Sequence, residues 1–211
     1  HVSGDREHVY LISFPRDMWV DIPGRGKAKI NAAYSWGGPA LTVETMEQLL
    51  DLPIDHTALI NFTGFTNVID ALGGVTVINR HASSANGFTF PKGEVDLTGE
   101  SALAFVRERY DLPSGDSDRA ERQRDVIKAV IGKLMSRGVL TNPSTFRYVV
   151  TTLGENFTVD EALDNSTIID LGMSMGLNAA DEIVSLQAPT DGSGTSSDGQ
   201  WYWKVDLHNL F

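Results

Sequence analysis

The sequence contains no cysteine. That absence excludes disulfides, thiolate zinc sites, iron–sulfur clusters and a cysteine nucleophile together. Positive charge is also scarce: 17 Lys+Arg stand against 28 Asp+Glu, for a formal net charge of −11. Such a chain opposes the counterion release that drives nucleic-acid binding. No run approaches the roughly 18 apolar residues of a membrane-crossing helix, and His1 to Glu7 lacks the basic-then-apolar pattern of a secretion signal. The five histidines, His1, His8, His56, His81 and His208, show no H-x-x-x-H or similar spacing, which favours surface or structural roles over zinc.

The 211 residues are 41% hydrophobic, enough to bury a core. Strand and helix signals alternate along them. His1-Val2, a Ser-Gly-Asp-Arg turn and Val9-Tyr10-Leu11-Ile12 read as a hairpin whose first strand is cut short. Trp19 to Ile22 reads as a strand, Pro39 opens a helix with Val43, Met46, Leu49 and Leu50 inward, and Ala58 to Phe62 is a strand. Phe65, Val68, Ile69 and Leu72 have helical spacing stopped by Gly73-Gly74, before the strand Val75 to Ile78. Gly99 to Val106 is a short helix. A long one runs from Asp118, capped with Glu121, to about Arg137, with Ile127, Val130, Ile131 and Leu134 buried and Gly138 as its stop. Asn142-Pro143 starts another, with Phe146, Val149, Val150 and Leu153 inward, ending at Gly154. Ile183 to Leu186 and Trp201 to Val205 read as late strands around a mobile loop over 191–199. The pattern predicts a single α/β domain over 1–211: a three-layer α-β-α sandwich around a mixed central sheet.

The segment from Arg107 to Arg124 holds five of the eleven arginines in 18 residues and no lysine. Arg119, Arg122 and Gln123, at i, i+3 and i+4, share one face of a first helical turn. Cations there oppose the helix dipole by about 0.3–1 kcal/mol, a conflict that an anion would resolve. Arginine forks suit phosphate better than lysine because two donors meet two oxygens. A second reading stands beside this one, since Asp118 with Arg122 and Glu121 with Arg124 are pairs of the kind that decorate solvated helices.

Weaker patterns remain. Gly172-Met-Ser-Met-Gly176 fits G-x-S-x-G, and Asp181 or Asp198 followed by His208 gives a hydrolase chain order around Ser174. That motif needs a strand before it and a helix after it, and small residues with Met at helical spacing point instead to a helix contact. The sequons at Asn61, in a predicted strand, Asn156 and Asn165 carry no assignment. The Gly-Gly pairs at 37–38 and 73–74 lack a dinucleotide or phosphate-loop context. Arg16 follows a Pro-fixed corner at a strand end, a common place for a functional side chain.

Five motifs occur in order: Ile12-Ser-Phe-Pro-Arg-Asp17; Lys29-Ile-Asn-Ala-Ala-Tyr34 with Gly37-Gly38-Pro39; Asp70-Ala-Leu-Gly-Gly-Val-Thr-Val77; Leu97-Thr-Gly-Glu-Ser-Ala-Leu-Ala-Phe-Val-Arg-Glu-Arg109; and Gly115-Asp-Ser-Asp-Arg-Ala-Glu-Arg-Gln123. Together, across about residues 8–137, they resemble the LytR-CpsA-Psr family of bacterial cell-wall enzymes. The resemblance implies an extracytoplasmic, membrane-anchored phosphotransferase, with the anchor outside this chain. Such an enzyme moves a glycopolymer from a polyprenyl-pyrophosphate carrier to a hydroxyl of peptidoglycan or another surface acceptor, with a possible pyrophosphatase side activity.

By motif position, Arg16, Arg107, Arg109, Arg119 and Gln123 are expected to bind the pyrophosphate, with Arg16, Asp116 and Arg119 catalytic and Asp116 orienting or deprotonating the acceptor. Mg2+ is the implied cofactor; the aspartates that hold it in the family lie upstream of residue 1, so no metal ligand is expected within the chain. The alternatives are a polyprenyl-pyrophosphate binding protein without turnover and the Ser174 hydrolase.

Overall fold

The computed structural model describes residues 1–134, 136, 142–160, 162–163, 166–167, 183–206 and 208–209. Its contacts divide the chain into two compact units: His1–Leu11 with Ala58–Ser185, and Ile12–Thr57 with Leu186–Phe211. Both mix helices with strands, in keeping with the expected α/β class. Strand β1 (Val9–Ser13) is the second strand of the predicted opening hairpin, with Val2 bridged antiparallel to Val9.

In the second unit, β2 (Met18–Ile22) and β3 (Gly26–Lys29) form a hairpin across the Pro-Gly-Arg-Gly turn. Met18, Val20 and Ile22 are buried and Asp21 between them is exposed, the period of two that one covered sheet face produces. Helix α1 (Asn31–Leu50) covers that face with Leu41, Met46 and Leu49. The helix is interrupted at Gly38, whose φ of 64° and ψ of −154° only glycine adopts freely, and Pro39 restarts it; the sequence reading caught the restart and missed the segment from Asn31.

The first unit opens with β4 (Ala58–Ile60) and α2 (Phe62–Ala71). Asn61 is not in a strand: it caps α2, its side chain accepting the Gly64 N–H at 2.7 Å. Strand β5 (Val75–Asn79) is followed by three strands that the sequence pattern does not predict, β6 (Ser83–Ala85) and β7 (Phe88–Phe90), paired as a hairpin, and β8 (Gly93–Leu97), antiparallel to β5. Helices α3 (Gly99–Arg107) and α4 (Asp116–Leu134) follow. The core joins Ile69, Val77, Leu97, Ala102, Phe105 and Val126, and Phe90 meets Phe105 edge-on at 5.2 Å. Helix α5 (Pro143–Asn156), capped by Asn142, packs Val149 on Val68 and Leu72 of α2, and β9 (Phe157–Val159) pairs with β4.

Two sequence expectations for α4 are corrected. The helix begins at Asp116 rather than Asp118, and its buried residues are Arg122 and Val126, while Ile127 is 45% exposed. Its predicted end near Arg137 and the Gly138 stop lie outside the described residues. Downstream, β10 (Ile183–Gln187) agrees with expectation, but half of the predicted mobile loop is strand: β11 (Thr190–Thr195) pairs with β12 (Trp201–Val205). Strand β12 runs parallel to β2, giving a mixed four-stranded sheet in the order β11-β12-β2-β3.

Gly99 shows how a motif glycine serves this packing. Its N–H donates to the Asp70 carboxylate at 2.8 Å, and a Cβ there would sit 2.6 Å from that carboxylate and closer still to the Thr66 carbonyl. We expect Gly99→Ala to destabilise the protein by about 1–3 kcal/mol through overpacking of α2 against α3, measured as a fall in the chemical denaturation midpoint.

Candidate functional site

Helix α3 ends at Arg107, and the segment to Asp116 is held by a buried carboxylate. Glu108 turns inward, extended at φ −63° and ψ 137°, with 8% of its surface exposed, and accepts the N–H groups of Tyr110 at 2.5 Å and Asp111 at 2.9 Å. The Asp111 N–H above all keeps its pKa below the ordinary carboxyl value, against the opposing effect of burial. Because Glu108 points in, its neighbours Arg107 and Arg109 are left exposed.

These guanidiniums have few protein partners. Arg107 sits 4.8 Å from the ring centre of Phe62, the exposed first residue of α2, and makes no ion pair among the described residues. Arg109 donates to the Tyr110 hydroxyl at 2.9 Å, which holds its pKa above the usual guanidinium value, and lies 3.6 Å from Asp116 Oδ1. Arg119, on the first turn of α4, meets the same Asp116 oxygen at 3.5 Å. One exposed carboxylate thus faces two guanidiniums while a third goes without; the uneven pairing lies in the geometry, since residues 107–124 hold as many carboxylates as arginines. Asp116 and Asp118 in the first turn ease the conflict between Arg119 and the helix dipole, and Asp118 also accepts the Ser114 N–H at 2.8 Å.

The predicted face of Arg119, Arg122 and Gln123 is divided. Arg122 is buried, 5% exposed, and its Nη2 donates to Asn79 Oδ1, the His81 carbonyl and Ser83 Oγ at 2.8–2.9 Å. Its guanidinium lies 4.1 Å from the ring centre of Phe105, and its Nη1 has no hydrogen-bond partner among the described residues. Burial lowers its pKa, with Glu108 and Asp118 acting the other way. Gln123 donates from Nε2 to the Val106 carbonyl at 3.2 Å, tying α4 to the last turn of α3. Arg80 adds an anchor the sequence reading did not find, reaching Asp125 at 2.9 Å and Glu121 at 3.0 Å.

Arg109, Asp116 and Arg119 are therefore brought together, with Arg107 two residues from Arg109. Arg16 belongs to the other unit, between β1 and β2; it is exposed, its carbonyl accepts the Asn31 N–H at 3.2 Å, and its side chain makes no hydrogen bond or ion pair among the described residues. Ser174 and Asp181 lie outside the described residues. Asp198 is bound to Ser196 and Gln200, whose hydrogen bonds lower its pKa.

The arginine cluster does not fit a resident magnesium ion. That hard cation takes a nearly octahedral set of oxygens, whereas the cluster offers one carboxylate already shared by two guanidiniums. Among the described residues, one group of candidate ligands falls within 4.8 Å, the exposed Asp5, Glu7 and His8 of the opening hairpin. There the Asp5 carboxylate already accepts Ser3 Oγ and the Glu7 N–H.

The LytR_cpsA_psr family model matches residues 1–211. A polyisoprenyl-teichoic acid–peptidoglycan teichoic acid transferase, TagU, of Enterococcus faecalis is 36% identical over 203 residues, covering 95% of this chain and 64% of the relative. The chain thus spans just under two thirds of that protein. The crystal structure of TagV of Bacillus subtilis superposes with a TM-score of 0.82 at 31% identity over 94% of this chain and 78% of the other. A structure of TagT bound to LI-WTA gives 0.74 at 30% identity, over 95% and 74%. These likenesses place the chain in the same mixed α/β fold.

Glu108 yields a pH prediction. Its folded-state pKa is lower than the ordinary 4.5, so its contribution is complete above about that pH and is lost as pH falls through the lower folded value. We expect Glu108→Gln to lower stability by about 1–2 kcal/mol at pH 7, with the gap from wild type closing progressively below pH 4.5 in thermal melts.

Proposed function

Because the chain belongs to the LytR_cpsA_psr family, we propose that it transfers a glycopolymer from a polyprenyl-pyrophosphate carrier to a hydroxyl of peptidoglycan, with its arginine cluster binding the pyrophosphate. The observation that carries this reading is the under-compensated set Arg107, Arg109 and Arg119 around the start of α4. The name of the Enterococcus faecalis relative, which joins polyisoprenyl-teichoic acid to peptidoglycan, supports a polyisoprenyl-linked glycopolymer as donor and peptidoglycan as acceptor. The family model runs through both compact units, which supports treating 1–211 as one catalytic domain.

In the proposed reaction the acceptor hydroxyl oxygen attacks the phosphorus next to the glycopolymer. A new P–O bond forms, the bridging P–O bond breaks, and polyprenyl monophosphate leaves. Phosphoryl transfer depends mainly on positioning and on neutralising charge at the transferring oxygens, and guanidinium forks do both. Arg109 and Arg119 hold those oxygens, Arg107 adds donors, and Asp116 accepts the hydroxyl proton. Gln123, engaged with the Val106 carbonyl, contributes by fixing Arg119 against α3. Magnesium, implied by the family resemblance, carries no step in this proposal.

An extracytoplasmic location and a membrane anchor belong to the proposal as well. Among the described residues no helix is long and apolar enough to cross a membrane.

The test is binding of a short polyprenyl pyrophosphate, followed by transfer to peptidoglycan fragments. We expect Arg119→Ala to weaken binding by about 1.5–3 kcal/mol, the scale of hydrogen bonds to a charged group. A change below about 0.5 kcal/mol would assign the arginines to a solvated surface. Binding without any transfer would leave a carrier-binding protein instead of an enzyme.

A further inference from the structure

The second compact unit holds a cavity that the proposed chemistry does not use. It has a volume of about 420 Å³, within the about 300–1,000 Å³ of small-ligand sites. Its walls include Trp19 and Asp21 of β2, Lys27 of β3, Gln48 of α1, and Tyr202 and Lys204 of β12, all in the same unit.

Strand register explains why these side chains meet. Trp19 and Asp21 occupy the face of β2 opposite the buried Met18, Val20 and Ile22. Lys204 is the partner of Trp19 in the parallel pair, and Lys27 the partner of Asp21 in the antiparallel one. Cross-strand partners point the same way, so aromatic and charged groups line up on one face.

The aromatic part is rigid. Trp19 and Tyr202 stack at 4.5 Å with 21° between planes, and Gly194 of β11 leaves room for the tyrosine, since a Cβ there would fall 2.6 Å from its Cζ. The charged part is available. Lys204 is exposed and makes no hydrogen bond or ion pair among the described residues, and Lys27 meets Asp21 at 4.0 Å with both side chains more than half exposed, a pair worth little in water. Two cations against one anion make this lining positive in a protein of charge −11.

Rigid aromatic rings, hydrogen-bonding side chains and surplus lysine charge in one cavity match a ligand that has apolar C–H surface, hydroxyls and an anionic group together. We infer that this cavity is a subsite for an anionic saccharide, with the sugar against Trp19 and Tyr202 and its phosphate or carboxylate at Lys204 and Lys27. The inference rests on the glycopolymer-transfer reading for its biological setting, while the site itself stands on the second unit alone. Two sources share this chemistry: the phosphate-linked glycopolymer and the carboxylate-bearing acceptor glycan.

Calorimetric titration of the chain with three probes tests it: a glycosylated glycerol-phosphate oligomer, a disaccharide muropeptide, and neutral chitotetraose. We expect at least one anionic probe to bind more tightly than chitotetraose, weakening as salt is raised, and at least fivefold weaker in Lys204→Glu. Trp19→Ala, checked for folding by circular dichroism, should weaken it comparably. Binding of the oligomer alone identifies the donor polymer as the ligand, and binding of the muropeptide alone identifies the acceptor. Failure of both, or affinity indifferent to Lys204→Glu, overturns the subsite. Polyprenyl pyrophosphate titrated into the same protein separates the two ideas: saccharide binding without it removes the transferase reading and keeps the subsite, and the reverse removes only the subsite.

Discussion

The organisation of the first unit depends on one buried guanidinium. Arg122 enters the interior from α4, bonds the end of β5 and the segment leading to β6 through Asn79, His81 and Ser83, and lies against Phe105 of α3. Burying a charge is expensive unless its donors are occupied, and Nη2 meets that demand by tying α4 to the β5–β6 segment while Nη1 goes without a partner among the described residues. Gln123 and Arg80 extend the same joint, one to Val106 of α3 and one to the acidic face of α4 itself. Every exposed arginine of the candidate site issues from the edges of this joint.

That placement separates two jobs that the sequence writes in one run. Interior donors such as Arg122 spend their hydrogen bonds on the fold, whereas Arg107, Arg109 and Arg119 keep most of theirs. Aromatic rings assist: Phe62 and Tyr110 lie against guanidiniums and limit their motion without cancelling their charge. A site built for a polyanion needs that combination, because a fully paired arginine has no donors left to offer and an unsupported one loses entropy on binding.

Much of this was legible in the residues. The stops at Gly73-Gly74, the cap at Asn142 and the helices on either side of the Arg-Glu-Arg segment follow from local chemistry that tertiary contacts do not override. In α4 the inward places of Val130 and Leu134 were legible and that of Arg122 was not, because a hydrophobic stripe assigns arginine outward and cannot foresee a guanidinium replacing an apolar residue as the inward knob beside Val126. Strands β6 and β7 were missed for a different reason: three residues each, held mainly by pairing with one another, leave too little periodicity to read, and β8, with Glu94 and Asp96 alternating with Val95 and Leu97, was missed with them. A run rich in glycine and serine reads as flexible, yet β11 is ordered by its partner, and Gly194 serves the Tyr202 ring rather than mobility. In the arginine cluster the residue types and order were readable; the inward turn of Glu108 and the sharing of Asp116 depend on three-dimensional contacts.

The inward turn of Glu108 sets a rule about spacing more than about identity. With an extended residue between them, Arg107 and Arg109 lie on either side of a side chain committed to the interior. An added residue in that segment would reverse the parity, carrying a guanidinium toward the Tyr110 and Asp111 amides and the carboxylate toward the ligand. The backbone amides of residues 110 and 111, not their side chains, hold Glu108, so this contact depends on the Arg-x-Arg interval itself and survives an exchange of side chain better than an insertion.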